Sequence, residues 1–357
     1  MASVKFLPAP NLREWLVGLS GEYRVLVPTE EGESVVFRPF EANSTPVLSA
    51  DATTSPKSAL FASCRELFRF EQTKDPDNPE RTSLKLTPDM NPEPTIIFGG
   101  RPCGAKGAAV FDRVYLGDRF PDPYYRTARE NTLFVTLTCD SPGHTCFCHW
   151  VGGGPDDPTG SDVLVTAVEG GYVLQTVTEK GESLLGGPIL TDGEAKLDEA
   201  EAVRQKAKAG LSPAPDLGRA RESLVAVFDD RAFWEDVSAG CINCGACTYL
   251  CPTCYCFTIT DEANGLSGKR LRTWDTCMSF QFTLEASGHN PRPTKAQRLK
   301  NRVGHKFSYY PARYGGPIAC CGCGRCVRKC PASLDIREIV TRAIDRAGTI
   351  PREASNG

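Results

Sequence analysis

The chain has 357 residues, enough for two domains of ordinary size, and its 40% hydrophobic and 24% charged composition is that of a protein with a buried core. A formal net charge of −3 supplies no global attraction to nucleic acid or an anionic membrane. No apolar run approaches the ~20 residues that cross a bilayer.

The start, Met1-Ala-Ser-Val-Lys-Phe-Leu-Pro8, lacks the charged leader and apolar stretch of a signal peptide, so a cytoplasmic location is expected. In a long chain of this kind, 17 cysteines point to metal rather than disulfides. Val4 to Gly21 reads as a short helix, with Asn11 as N-cap ahead of Leu12, Trp15 and Leu16. Tyr23 to Pro28 and Ser34 to Pro39 read as strands joined by the turn Glu30 to Glu33, and Glu41 to Ser58 as extended coil. Cys64 is taken as a structural thiol.

Thr95 to Gly100 is an apolar strand that ends in the turn Arg101-Pro-Cys103-Gly104, with a helix expected from Lys106 to Leu116. Beyond the acidic and aromatic loop Asp118 to Tyr125, a second apolar strand runs from Thr132 to Thr138. Cys139, Cys146-Phe-Cys148 and the glycine-rich Val151 to Pro155 follow it. Strand ends followed by glycine turns are where α/β folds place their chemistry, so Cys103, Cys139, Cys146 and Cys148 are expected to converge at one edge. They could be ordinary buried thiols. The polar setting beside His144 and His149 favours a third cluster, with zinc as the other metal that suits four thiolates.

Asp162 to Val168 and Tyr172 to Val177 read as a hairpin around Glu169-Gly-Gly171, and Gly193 to Leu211 as a charged helix broken by Ser212-Pro-Ala-Pro215. A further helix from Asp216 through Trp234 leads to the cysteine-rich part. The expected division is an N-terminal α+β domain, residues 1–230, and a ferredoxin-like domain, residues 231–357, with an insert at 258–318.

Cys241-Ile-Asn-Cys244-Gly-Ala-Cys247-Thr-Tyr-Leu-Cys251-Pro252 is a C-x2-C-x2-C-x3-C-P run, and Cys320, Cys323, Cys326, Cys330 and Pro331 repeat it. This is the bacterial ferredoxin spacing, in which the cysteine before proline serves the other cluster. Cys241, Cys244, Cys247 and Cys330 are therefore expected to hold one [4Fe–4S] cluster, and Cys320, Cys323, Cys326 and Cys251 a second. Zinc ribbons also use C-x2-C pairs, but have no use for the third and fourth cysteine with a trailing proline. The insert carries Arg292, Lys295, Arg298, Lys300, Arg302 and Lys306, read as a solvated face; docking of an acidic partner and tuning of the anionic clusters are the alternatives. No G-x-G-x-x-G between strand and helix, P-loop or H-E-x-x-H occurs, so the chain is expected to carry electrons for partners rather than catalyse alone.

Several segments together resemble one family. They are Cys251-Pro-Thr-Cys254-Tyr-Cys256-Phe257, Arg272-Thr-Trp-Asp-Thr-Cys277, and Gly288-His-Asn-Pro-Arg-Pro-Thr-Lys295 with Arg298, Asn301 and Arg302. Gly322 and Gly324, Phe98-Gly-Gly-Arg-Pro-Cys103, Tyr124-Tyr125, Arg129-Glu-Asn131 and Cys146-Phe-Cys148 extend the likeness over most of the chain. The family is the beta, iron–sulfur subunit of cytoplasmic sulfhydrogenase-type NiFe hydrogenases, with the related A subunit of anaerobic sulfite reductase. One departure is Gly104, where the family carries an acidic residue. The resemblance implies an electron conduit between a flavin subunit handling NAD(P)H and a catalytic hydrogenase or reductase subunit. Cys254, Cys256 and Cys277 match the family pattern and form a candidate further site, with His289 or an N-terminal cysteine to complete it, or pack as structural thiols. A freestanding ferredoxin-type carrier and a reductase using the N-terminal cysteines are the alternative functions.

Overall fold

A computed structural model describes residues 3–349 except 79 and 118. Met1 and Ala2, Asp118 of the acidic loop and the last residues of the 231–357 division lie outside these. Among the described residues twelve strands form two sheets. In chain order they begin with β1 (Val4–Pro8), β2 (Arg24–Glu31), β3 (Ser34–Pro39), β4 (Cys64–Lys74), β5 (Thr82–Pro88) and β6 (Thr95–Gly100). They continue with β7 (Thr132–Leu137), β8 (Val163–Val168), β9 (Gly171–Thr176), β10 (Thr191–Asp192), β11 (Phe257–Asn264) and β12 (Ser267–Trp274).

The large sheet runs β10-β1-β9-β8-β7-β6-β2-β3. Its centre, β2, β6, β7 and β8, is parallel, and the remaining neighbours are antiparallel. β6 and β7 are buried at every position, which is why they read as continuous apolar runs. On one face Leu7 and Leu174 of the sheet pack with Trp15 and Leu16; the other face packs on Phe61, Phe111 and Tyr125.

Three local expectations are corrected. Val4–Pro8 is a strand, not the start of a helix: it pairs with β9 from Val4↔Gln175 to Pro8↔Gly171, and the α-helix is confined to Leu12–Leu19, after a 3-10 turn at Ala9–Asn11. Pro8 favours extended chain there, burial of Leu7 completes the strand, and the Asn11 side chain caps nothing. The helix after β6 starts at Pro102, because proline at the first helical position gives up no hydrogen bond, and Cys103 therefore lies in its first turn. The expected helix through Trp234 is two, Ala220–Ala226 and Arg231–Val237, the second capped by Asp230 accepting from Phe233 N at 3.0 Å.

The small sheet, β11-β12-β4-β5, was not expected. β12 pairs antiparallel with β4 from Ser267↔Glu71 to Thr273↔Cys64, so residues on either side of position 230 share one sheet. Cys64, the first residue of β4, is exposed, not buried as a structural thiol would be. A separate helical core forms from Leu224, Trp234, Leu299, Val303, Phe307, Ile339 and Val340, and the cysteine runs lie against it.

Candidate iron–sulfur centres

Each cysteine run turns through paired left-handed positions. These are Asn243 (φ 57°) and Gly245 (φ 74°) in the first run, and Gly322 (φ 64°) and Gly324 (φ 69°) in the second. Glycine adopts this conformation freely and asparagine is among the few other residues that visit it. Gly245 and Gly324 then open the short helices Ala246–Tyr249 and Arg325–Arg328, which carry the third cysteine of each run. At Gly322 and Gly324 the requirement is doubled, since a Cβ would collide with the main chain of Phe147 and Cys148, or of Thr145.

These turns distribute the thiols around two adjoining cavities. Cys241, Cys244, Cys247 and Cys330 line one together with Met278, Leu299 and Arg302. Cys251, Cys320, Cys323 and Cys326 line the other, beside Phe147, Arg302 and Lys306. Cys326 and Arg302 reach both. Each cavity thus sets three cysteines of one run beside the pre-proline cysteine of the other, with Cys326 also lining the first and Cys321 the second. Among the described residues no three Cys, His, Asp or Glu side chains are placed to hold a single metal ion. The thiols stand around a space instead, as a cubane with one thiolate per iron requires.

The N-terminal cysteines gather at the C-terminal ends of parallel strands. Cys103 follows β6 and Cys139 follows β7, with Cys146 and Cys148 on the next loop. Burial pushes Cys139 up to about 12, and Cys146 and Cys148 are among the neighbours that add to it. Burial likewise pushes Cys148 up to about 11 and Cys146 upward. Cys103 is raised well above the usual thiol range by burial, with Arg325 opposing and Cys323 and Cys139 adding. This set touches the second run, where Phe147 N donates to Gly322 O at 2.8 Å and Arg325 Nη1 to Cys103 Sγ at 3.8 Å.

Cys254, Cys256 and Cys277 also lie together. A hydrogen bond from Cys277 lowers Cys256 to about 7, and the Cys254 thiol donates a hydrogen bond to Cys251. His289 is exposed on a turn in which its carbonyl accepts from Glu285 N at 2.9 Å, so the thiol adjoining the trio is Cys251 rather than this histidine. Sequence reasoning missed Cys321, which is buried and donates to Cys323, lowering the latter to about 6. The doublet Cys320-Cys321 was the available signal.

Sequence reasoning also misplaced the charges. Arg298, Arg302 and Lys306 are buried rather than solvated, and Arg292, Lys295 and Lys300 are only partly exposed. Arg298 holds the main-chain oxygens of Met278, Arg292 and Pro293, each at 3.0 Å. Around the cavities, Lys57, Arg302, Lys306 and Arg325 are at most 8% exposed. Lys57 and Arg325 donate to main-chain oxygens and Arg325 also to sulfur, while Arg302 has two buried nitrogens without a partner. A buried cation is costly unless a negative charge faces it. Thiolates closed around an iron–sulfur cluster carry net negative charge, so donor set and cation cage both fit that group.

Residues 240–334 match the 4Fe-4S dicluster domain family. Over 254 residues the chain is 30% identical to the sulfhydrogenase 2 subunit beta of Pyrococcus furiosus, a match that covers 67% of this chain and 71% of that protein. No helix among the described residues is long and apolar enough to cross a membrane. A mixed α/β protein with a C-terminal iron–sulfur dicluster domain, this chain belongs to the sulfhydrogenase beta-subunit family.

Proposed function

We propose that the chain is the electron-transfer subunit of a hydrogenase-type complex, standing between a flavin subunit that handles NAD(P)H and a catalytic hydrogenase or reductase subunit. The observation that carries this reading is the crossed lining of the two cavities by Cys241, Cys244, Cys247 and Cys330 and by Cys251, Cys320, Cys323 and Cys326. Iron–sulfur clusters bound there supply one-electron redox chemistry. The protein's own part is to hold the thiols, exclude water and offset charge. Arg302 lies between the cavities, and the contact of Phe147 with Gly322 brings Cys103, Cys139, Cys146 and Cys148 beside the second. The three sets therefore follow one another, ending at the exposed Cys244. This line suits entry of electrons at one end and exit at the other.

Iron and acid-labile sulfide per chain, with EPR of the anaerobically purified protein, test the reading. Two cubanes require about eight irons and a third on the N-terminal set about twelve; a higher count would assign a fourth to Cys254, Cys256 and Cys277. Cys251→Ser is expected to remove the signal of the cluster served by Cys320, Cys323 and Cys326, with loss of about four irons. Loss of the other run's signal instead would reject the crossed assignment, and colourless protein with stoichiometric zinc would reject the function.

A further inference from the structure

Lys306 lies on a single π-helical turn, His305–Tyr309, between the helices Lys295–Gly304 and Tyr310–Arg313. Such turns re-aim side chains and recur at functional sites. Here the side chain points inward and is 3% exposed. An ammonium has three protons to donate. The structure gives this one three acceptors: Thr253 Oγ1 at 2.8 Å, Ala319 O at 3.0 Å and Cys251 Sγ at 3.4 Å. The main chain adds the reverse bond, Ala319 N to Lys306 O at 2.9 Å, and Thr253 Oγ1 also donates to Ala319 O at 2.9 Å. One residue thus ties the end of the first run to the start of the second.

None of these acceptors is a carboxylate, so the charge facing the ammonium is that of sulfur. Lys57 is the contrast. It donates to two main-chain oxygens and lies 4.2 Å over the Trp274 ring, with no bond to sulfur.

We propose that Lys306 is the positioning residue of the second centre: it holds Cys251 across to Cys320, Cys323 and Cys326 and, by donating to its sulfur, raises the reduction potential there. The inference rests on the reading of Cys251 as the crossed ligand. A hydrogen bond from a cation favours the state with more negative charge on the sulfur, which is the reduced one.

The test is an EPR-monitored redox titration of the full chain. In Lys306→Met, with iron and sulfide as in the wild type, the signal that Cys251→Ser abolishes is expected to move down by about 59 mV or more, a tenfold change in a one-electron equilibrium. Lys306→Arg, which keeps the charge, is expected to restore most of that shift. An iron-replete Lys306→Met that titrates as wild type overturns the proposal, as does Lys306→Arg shifting equally far. Should Lys306→Met lose iron, Thr253→Val decides: removing the Nζ anchor is expected to lower the same signal, and an unchanged potential overturns the proposal. A wild-type chain with no signal that depends on Cys251 overturns both this inference and the ligand reading beneath it.

Discussion

Five cysteines stand from Cys320 to Cys330 inclusive, whereas Cys103, Cys139, Cys146 and Cys148 come from a helix start, a strand end and a loop. In the runs a few left-handed residues decide where the thiols go. In the N-terminal set the parallel strands β6 and β7 decide it. In each run one loop sets three of the four ligands and only the crossed cysteine depends on the other run, but a site made by sheet topology depends on the whole frame. The two are not independent, because the loop carrying Cys146 and Cys148 rests on Gly322 and Gly324.

That dependence can be broken at one atom. Gly322→Ala puts a methyl into the main chain of Phe147 and Cys148 at a left-handed position, and is expected to cost about 4 kcal/mol. Chemical denaturation and iron analysis should show both the second run and the N-terminal set affected; loss confined to the run would make the two sites separable. A smaller effect is expected at the seam. His305 Nε2 meets Tyr255 OH at 3.0 Å, and the Tyr255 ring packs on Phe111 and Tyr115 of the N-terminal core. Burial, then Lys306 and Arg292, lower His305 from 6.5 to about 4, so its neutral form contributes stability that is complete above pH 6.5 and lost as pH falls through 4. Partial solvent access reduces the effect to about 2 kcal/mol. Denaturation midpoints taken across that range should fall less steeply in His305→Gln; an unchanged slope would remove the histidine from the seam. The smallest effect is expected on the surface. Lys300 Nζ lies 3.7 Å over the Phe228 ring and donates to Phe228 O at 3.0 Å, so Lys300→Ala should cost about 0.5–1 kcal/mol with iron content and potentials unchanged.

The cysteine runs are legible in the sequence because ligand spacing is a local property, and β6 and β7 because a strand buried on both faces must be apolar throughout. The alternation of Phe68 and Phe70 with Arg69 and Glu71 is equally readable as a strand, but nothing local says that its partner is β12. The basic insert misleads for a related reason. Charge runs are solvated in most proteins, and the sulfur that lets Lys306 remain buried is contributed by Cys251 on a distant stretch of chain. Cys321 breaks no spacing rule, so spacing could not single it out.

The small sheet also has a history in time. β5 follows β4 at once, but β12 is made roughly 190 residues later, which at about 5–20 residues per second leaves one edge of β4 open for about 10–40 s. An open edge flanked by Phe68 and Phe70 is a template for pairing with another chain, and charged side chains blunt such edges. Arg65, Glu66, Arg69 and Glu71 supply that protection along β4. During synthesis these charges guard a strand whose proper neighbour does not yet exist.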